Sequence, residues 1–202
     1  NMSLADLLKS SRNNRHQEID AFKTDLERRL SFSSKEEFYK EFIQPIESAE
    51  LKNFYVNSIN SFLGKSLEFL LDKKGYARRM PDYYVYLDMP GPILAATIKI
   101  SNGTTILAYN QRHADLLRNN PLQRLYVNLH EHAHVRGIMS EAQTDAAVEN
   151  AALDFASDSQ HNFGYTKKLL PSFTTLKDKL SEYINAIKIA WHARYRQEHQ
   201  YA

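Results

Sequence analysis

The sequence predicts a mostly helical α+β fold. In it a small antiparallel sheet packs on one central helix and on the helix that follows, behind an N-terminal helical extension. Three observations carry this reading. Apolar residues recur at spacings of three and four before residue 75 and again after Arg112. Between them, two β-branched and apolar runs flank Ser101-Asn102-Gly103. The third is the run Leu129-His130-Glu131-His132-Ala133-His134-Val135-Arg136-Gly137, closely followed by Ser140-Glu141-Ala142-Gln143-Thr144-Asp145.

In the N-terminal region, Ile19, Phe22, Leu26 and Leu30 form the stripe of an amphipathic helix. Ser34 with Glu37 makes a capping box that opens a helix bearing Phe38, Phe42 and Ile43. Pro45 lies near the start of one longer helix, with Leu51, Phe54, Tyr55, Phe62, Leu63, Phe69 and Leu70 on its apolar side, closed by Gly75. Tyr83–Leu87 reads as a strand broken by Pro90-Gly91-Pro92. The runs Ile93–Ile100 and Thr104–Tyr109 read as a hairpin with a two-residue Asn102-Gly103 turn. Asn120 caps the central helix and Pro121 takes its first position, with Leu122, Leu125, Leu129 and Ala133 as the buried stripe and Gly137 as the stop. An alanine-rich helix runs from about Met139 to Ser157. His161–Pro171 is a loop, and Leu176, Leu180, Tyr183, Ile184, Ile187 and Trp191 mark a last helix reaching about Arg196.

Composition excludes several classes of function. The 202 residues suffice for one domain with a buried core. A net charge of +2 is too small to draw the chain to nucleic acid or to an anionic membrane. The absence of cysteine removes disulfides, thiol catalysis and thiolate-ligated metal together. No apolar run approaches the roughly 20 residues of a membrane span. The segment Asn1-Met2-Ser3-Leu4 shows no basic stretch leading into an apolar core. A soluble protein is expected, either cytoplasmic or secreted without a visible signal peptide.

The histidine-rich run contains His-Glu-x-x-His. On a helix of about 100° per residue, His130 and His134 lie one turn apart and about 40° from alignment, so both Nε2 atoms can meet one metal ion. Glu131 stands beside the pair, placed to take a proton from a metal-bound water. His132 points about 200° away from His130 and is not expected to be a ligand. A catalytic zinc takes three protein ligands and keeps one position for water. Glu141, Asp145 and Glu149, near one face of the next helix, are the candidates for the third. His113, His16, His192 and His199 have no partner spacing and read as surface residues.

The stretch Ser140-Glu141-Ala142-Gln143-Thr144-Asp145 resembles the Glu-x-x-x-Asp signature of the gluzincins, the thermolysin-like zinc peptidases. The order of hairpin, helix, His-Glu-x-x-His helix and glutamate helix is similar to that of the minimal gluzincins. The resemblance spans the hairpin to about Phe155 and leaves out the N-terminal helices. It divides the chain into a helical region, 1–75, and a zincin-like region, 76–202. It implies Zn2+ as cofactor, Glu141 as third ligand and Asp145 as the outer partner that orients His130. Six residues separate His134 from Glu141, fewer than is usual in gluzincins, so the chain must turn back at Gly137 almost at once. The metzincin pattern also matches through Gly137, but Ser140 then falls at the last ligand position, and serine is a poor zinc ligand.

The activity these residues imply is hydrolysis of peptide bonds, with a zinc-bound water activated by Glu131. A peptide or protein substrate would add a strand to the free sheet edge, at Ile93–Ile100 or Thr104–Tyr109. His161 and Tyr165, which follow the acidic part of the alanine-rich helix, are the candidate donors to the developing oxyanion. The competing reading is a catalytically inactive zincin-like domain that binds metal or a partner protein.

Overall fold

The computed structural model describes residues 17–18, 20–30, 34–91 and 93–162, with side chains to residue 152. The described chain is α+β and mostly helical. In order, its elements are α1 (20–29), α2 (Lys35–Phe38), α3 (Ala49–Asn60), α4 (Phe62–Lys73), β1 (Tyr83–Leu87), β2 (Ala95–Lys99), β3 (Thr105–Asn110), α5 (Ala114–Asn119), α6 (Pro121–Arg136) and α7 (Glu141–Asn162). The helix α2 opens on the Ser34 cap, whose hydroxyl accepts from the Glu37 N–H at 3.1 Å, and continues as a π-helical turn over Tyr39–Ile43. The last helix read from the sequence, 176–196, lies outside the described residues. None of the described helices is long and apolar enough to cross a membrane.

The described chain forms two compact units. One holds the residues up to Lys52 together with Pro81–Pro121; the other holds Asn53–Met80 and the chain from Leu122. These units differ from the division at residue 75 drawn from the sequence. Most of α3 and all of α4 belong with α6 and α7, because their partners are distant in sequence.

The first unit carries the sheet. Its core joins Leu30, Phe38 and Ile43 from the N-terminal helices to Val85, Ile98, Ile106 and Ala108 from the strands. The strand order is β1-β3-β2, with β1 parallel and β2 antiparallel to β3, so the sheet is mixed where an antiparallel one was expected. The hairpin signal fixes only the β2–β3 pair. Segment 88–94 lets β1 take the opposite edge, and Asn110 holds that segment by donating to the carbonyls of Met89, Pro90 and Ile93 at 3.2, 3.1 and 2.8 Å. His113 also serves it. This histidine is buried and pairs with the Gly91 carbonyl, which corrects its reading as a surface residue.

The turn itself has three residues rather than two. The Ile100 N–H donates to Thr104 and its carbonyl accepts from Gly103, both at 2.9 Å, and only Gly103 takes a positive φ, +87°. This is a three-residue hairpin loop with glycine in the left-handed position. Because β3 is central, it cannot receive a substrate strand. β2 is an edge of the sheet, while β1 already bridges to Glu47.

In the second unit the single long helix expected after Pro45 is two helices. Ser61 breaks it: its hydroxyl accepts from the Gly64 N–H at 3.1 Å and caps α4. The break rotates the buried face, so Leu67 and Leu71 are inside while Phe62 and Phe69 are 50% and 55% exposed. Gly64 permits the tight joint, since a Cβ there would lie 2.2 Å from the Ser58 carbonyl oxygen and 2.4 Å from that of Ile59. Backbone atoms cannot move aside as a side chain can. Gly64→Ala should therefore destabilise the protein by about 2–3 kcal/mol, the upper part of the range for overpacking, measured as a fall in the denaturant midpoint.

Candidate metal centre

The site is built on α6. Every residue from Tyr126 to Arg136 is buried, so this half of the helix has no solvent face. Of the stripe expected to be buried, Leu122 is 47% exposed and Leu125 is half-buried, whereas Gln123 between them is buried. Polar groups in such a helix need internal partners. Side chains four residues apart lie one above another on a helix, and α6 carries two polar rows of this kind: Asn128, His132 and Arg136, and about half a turn away Tyr126, His130 and His134.

The first row fastens α6 to α3 and α4. Asn128 donates to the Ser58 hydroxyl at 2.8 Å and to the Phe54 carbonyl at 3.2 Å. His132 lies between the Tyr55 hydroxyl at Nδ1 and Glu68 at Nε2. Burial and the nearby Arg136 cation push its pKa down to about 3, so it is neutral, accepting from Tyr55 and donating to Glu68. Arg136 uses all five of its N–H donors: to Ala77 O at 3.1 Å, Glu68 O at 3.2 Å, Glu68 Oε2 at 2.8 Å, Asp72 Oδ1 at 2.6 Å and Tyr76 O at 2.7 Å. His132 is thus an anchor of the helix, and the Glu68–Arg136 pairing beside it was not read from the sequence.

The second row faces α7. The chain reverses at Gly137, whose φ is +125°. Its N–H donates to the His134 carbonyl and that of Ile138 to Ala133, both at 3.0 Å, a glycine-ended helix stop. Ser140 then caps α7, its hydroxyl accepting from the Gln143 N–H at 3.3 Å. The short link of six residues therefore suffices to bring Glu141, the first residue of α7, to both histidines. Glu141 Oε2 lies 2.7 Å from His130 Nε2, and its Oε1 lies 3.2 Å from His134 Nε2.

Both imidazoles are held from behind. His130 Nδ1–H donates to Asp145 Oδ1 at 2.9 Å, and His134 Nδ1–H donates to the Ile138 carbonyl at 2.7 Å. This tautomer of His134 turns the Nε2 lone pair toward a carboxylate oxygen, and two acceptors face each other only across a proton or a metal cation. The group His130, His134 and Glu141 offers one ligand atom each, all within 4.8 Å of one another, and could hold a metal ion. Asp145 stands behind it, and Glu149 is not part of it. Glu131, 4% exposed, follows His130 on the helix. The helix α7 extends past the expected end at Ser157 to Asn162, so the backbone of His161 is helical, whereas its side chain and the whole of Tyr165 lie outside the described residues.

Burial disfavours a charged His130, but Glu141 and Asp145 outweigh it and push its pKa up to about 10. Burial likewise opposes the Glu141 carboxylate, yet His130 and His134 hold it well below the usual carboxylate range. Compared with known protein families, with curated proteins and with solved structures, the chain matches none.

Two predictions come from this geometry. Arg136→Met removes the guanidinium that Glu68 and Asp72 share, leaving Asp72 only its ion pair with Arg78 at 2.7 Å. Because those side chains keep 27% and 32% exposure, the cost should be roughly 3 kcal/mol, the low end for a broken buried pair, read from chemical denaturation. The second concerns pH. The metal-free folded chain retains a His130 proton that the unfolded chain sheds above about pH 6.5. This stabilises the metal-free fold fully below that value and is lost as pH rises through about 10. A metal ion must displace the proton, so divalent-metal affinity should rise about tenfold per pH unit between neutrality and that value, with proton release visible by calorimetry in buffers of different ionisation enthalpy.

Proposed function

We propose that this chain is a zinc-dependent endopeptidase. The observation that supports the reading is the convergence of two imidazole Nε2 atoms and the Glu141 carboxylate, with each Nδ1–H already held. Two imidazoles and one carboxylate are a donor set suited to zinc, and three protein ligands are the number found in catalytic sites. The spacings of 2.7 and 3.2 Å are close to the roughly 3.3 Å between neighbouring ligands of a tetrahedral zinc with bonds of about 2.0 Å.

His130, His134 and Glu141 would hold the ion. When bound, it would polarise the scissile carbonyl and acidify a water in the site. Glu131 then acts as the general base. It would take a proton from the attacking water as the water oxygen adds to the carbonyl carbon, and would return it to the amine as the C–N bond breaks. The Asp145 carboxylate keeps the His130 proton on Nδ1, which leaves the Nε2 lone pair for the metal.

The test compares the wild-type chain with two variants in elemental analysis and in a proteolysis screen. Glu131→Gln should keep its zinc while losing about 10²–10⁴-fold in cleavage, and His134→Ala should lose most of the zinc. Zinc uptake by the wild type with equal residual cleavage in the wild type and Glu131→Gln would favour the inactive metal-binding or protein-interaction domain instead.

A further inference from the structure

The row on α6 that carries the two histidines begins one turn earlier, at Tyr126, which is 3% exposed. Its hydroxyl donates to Asp145 Oδ1 at 2.6 Å, and His130 Nδ1–H donates to the same oxygen at 2.9 Å. The two rings are neighbours on the helix, with centroids 6.2 Å apart. Asp145 in turn lies one turn after Glu141 on α7, so the same two turns of α7 supply the outer carboxylate and the third ligand.

From this convergence we infer that Tyr126 is a positioning residue of the metal centre, acting on His130 through Asp145. The inference rests on the reading of His130, His134 and Glu141 as metal ligands. A carboxylate turns easily about its last bond, and a single donor is met equally well by either oxygen. Two donors on one oxygen remove that freedom. They set the plane of the Asp145 carboxylate, and with it the direction in which His130 presents Nε2 to Glu141. A phenol that merely found a partner for its own buried hydroxyl would have no such effect on the imidazole.

Tyr126→Phe deletes the hydroxyl and keeps the ring, so a double-mutant cycle with Asp145→Asn separates the two roles. Zinc affinity is measured by competition with a chromophoric chelator, and ligand geometry by the visible spectrum of the cobalt-loaded protein. Each variant is assayed at a temperature where circular dichroism shows it folded. Tyr126→Phe alone should weaken zinc binding by about tenfold, the low end for groups behind a metal ligand, and should shift the cobalt bands. In the Asp145→Asn background the same change should alter affinity by less than about twofold. Unchanged affinity in the single variant, or an equal loss in both backgrounds, would overturn the role of Tyr126. His134→Ala distinguishes the two levels. If it binds zinc as tightly as the wild type, the metal reading fails and this inference with it. If it loses zinc while Tyr126→Phe does not weaken binding, only the role of Tyr126 fails.

Discussion

From Tyr126 to Arg136 the helix α6 has no solvent face, and it can carry three histidines, a glutamate and an arginine there only if its polar groups find partners inside the protein; this constraint organises the second unit. An unpaired buried polar group costs about 1–3 kcal/mol, and an unpaired charge costs more. Asn128, His132 and Arg136 meet the constraint on the side of α3 and α4, where Arg136 alone satisfies five donors. Tyr126, His130 and His134 meet it on the side of α7, through Asp145, Glu141 and the Ile138 carbonyl. One row fixes how α6 is rotated, and the rotation determines where the other row points.

The two rows differ in what they leave over. Around Arg136 every donor has its acceptor, and the network is closed. Two imidazoles whose Nδ1 protons are already committed face one carboxylate, and burial sharpens the need for positive charge between them. Against burial, Glu141 and Asp145 push the His130 pKa up to about 10, which favours a proton there, and His130, His134 and Glu141 could hold a metal ion. Since the chain matches no known family, the functional reading stands on this local chemistry rather than on likeness of fold.

Local signals in the sequence were legible where one residue sets one piece of backbone. Ser34 caps α2, Gly75 and Gly137 end α4 and α6, and Pro121 starts α6. The strands fell close to where their β-branched and aromatic runs placed them. Errors arose where two signals competed or a partner was remote. Ser61 lies within an apolar stripe, and its capping role overrode the periodicity that ran through it. In the hairpin, Asn-Gly gave the turn its place, while the pairing of Ile100 with Thr104 gave it three residues.

The sequence by itself determined the helical spacing of His130 and His134, the direction of His132 away from them, and the single turn between Glu141 and Asp145. These follow from the pitch of a helix and need no neighbours. Tertiary structure alone decided which carboxylate reaches the two imidazoles, because that choice depends on how α7 leaves the turn at Gly137 and on where Ser140 starts it. It also decided that β1 runs parallel to β3, and that Glu68 and Asp72 close around Arg136. Those contacts join residues 20 to 70 positions apart, and no local pattern encodes which distant partner will satisfy a buried charge.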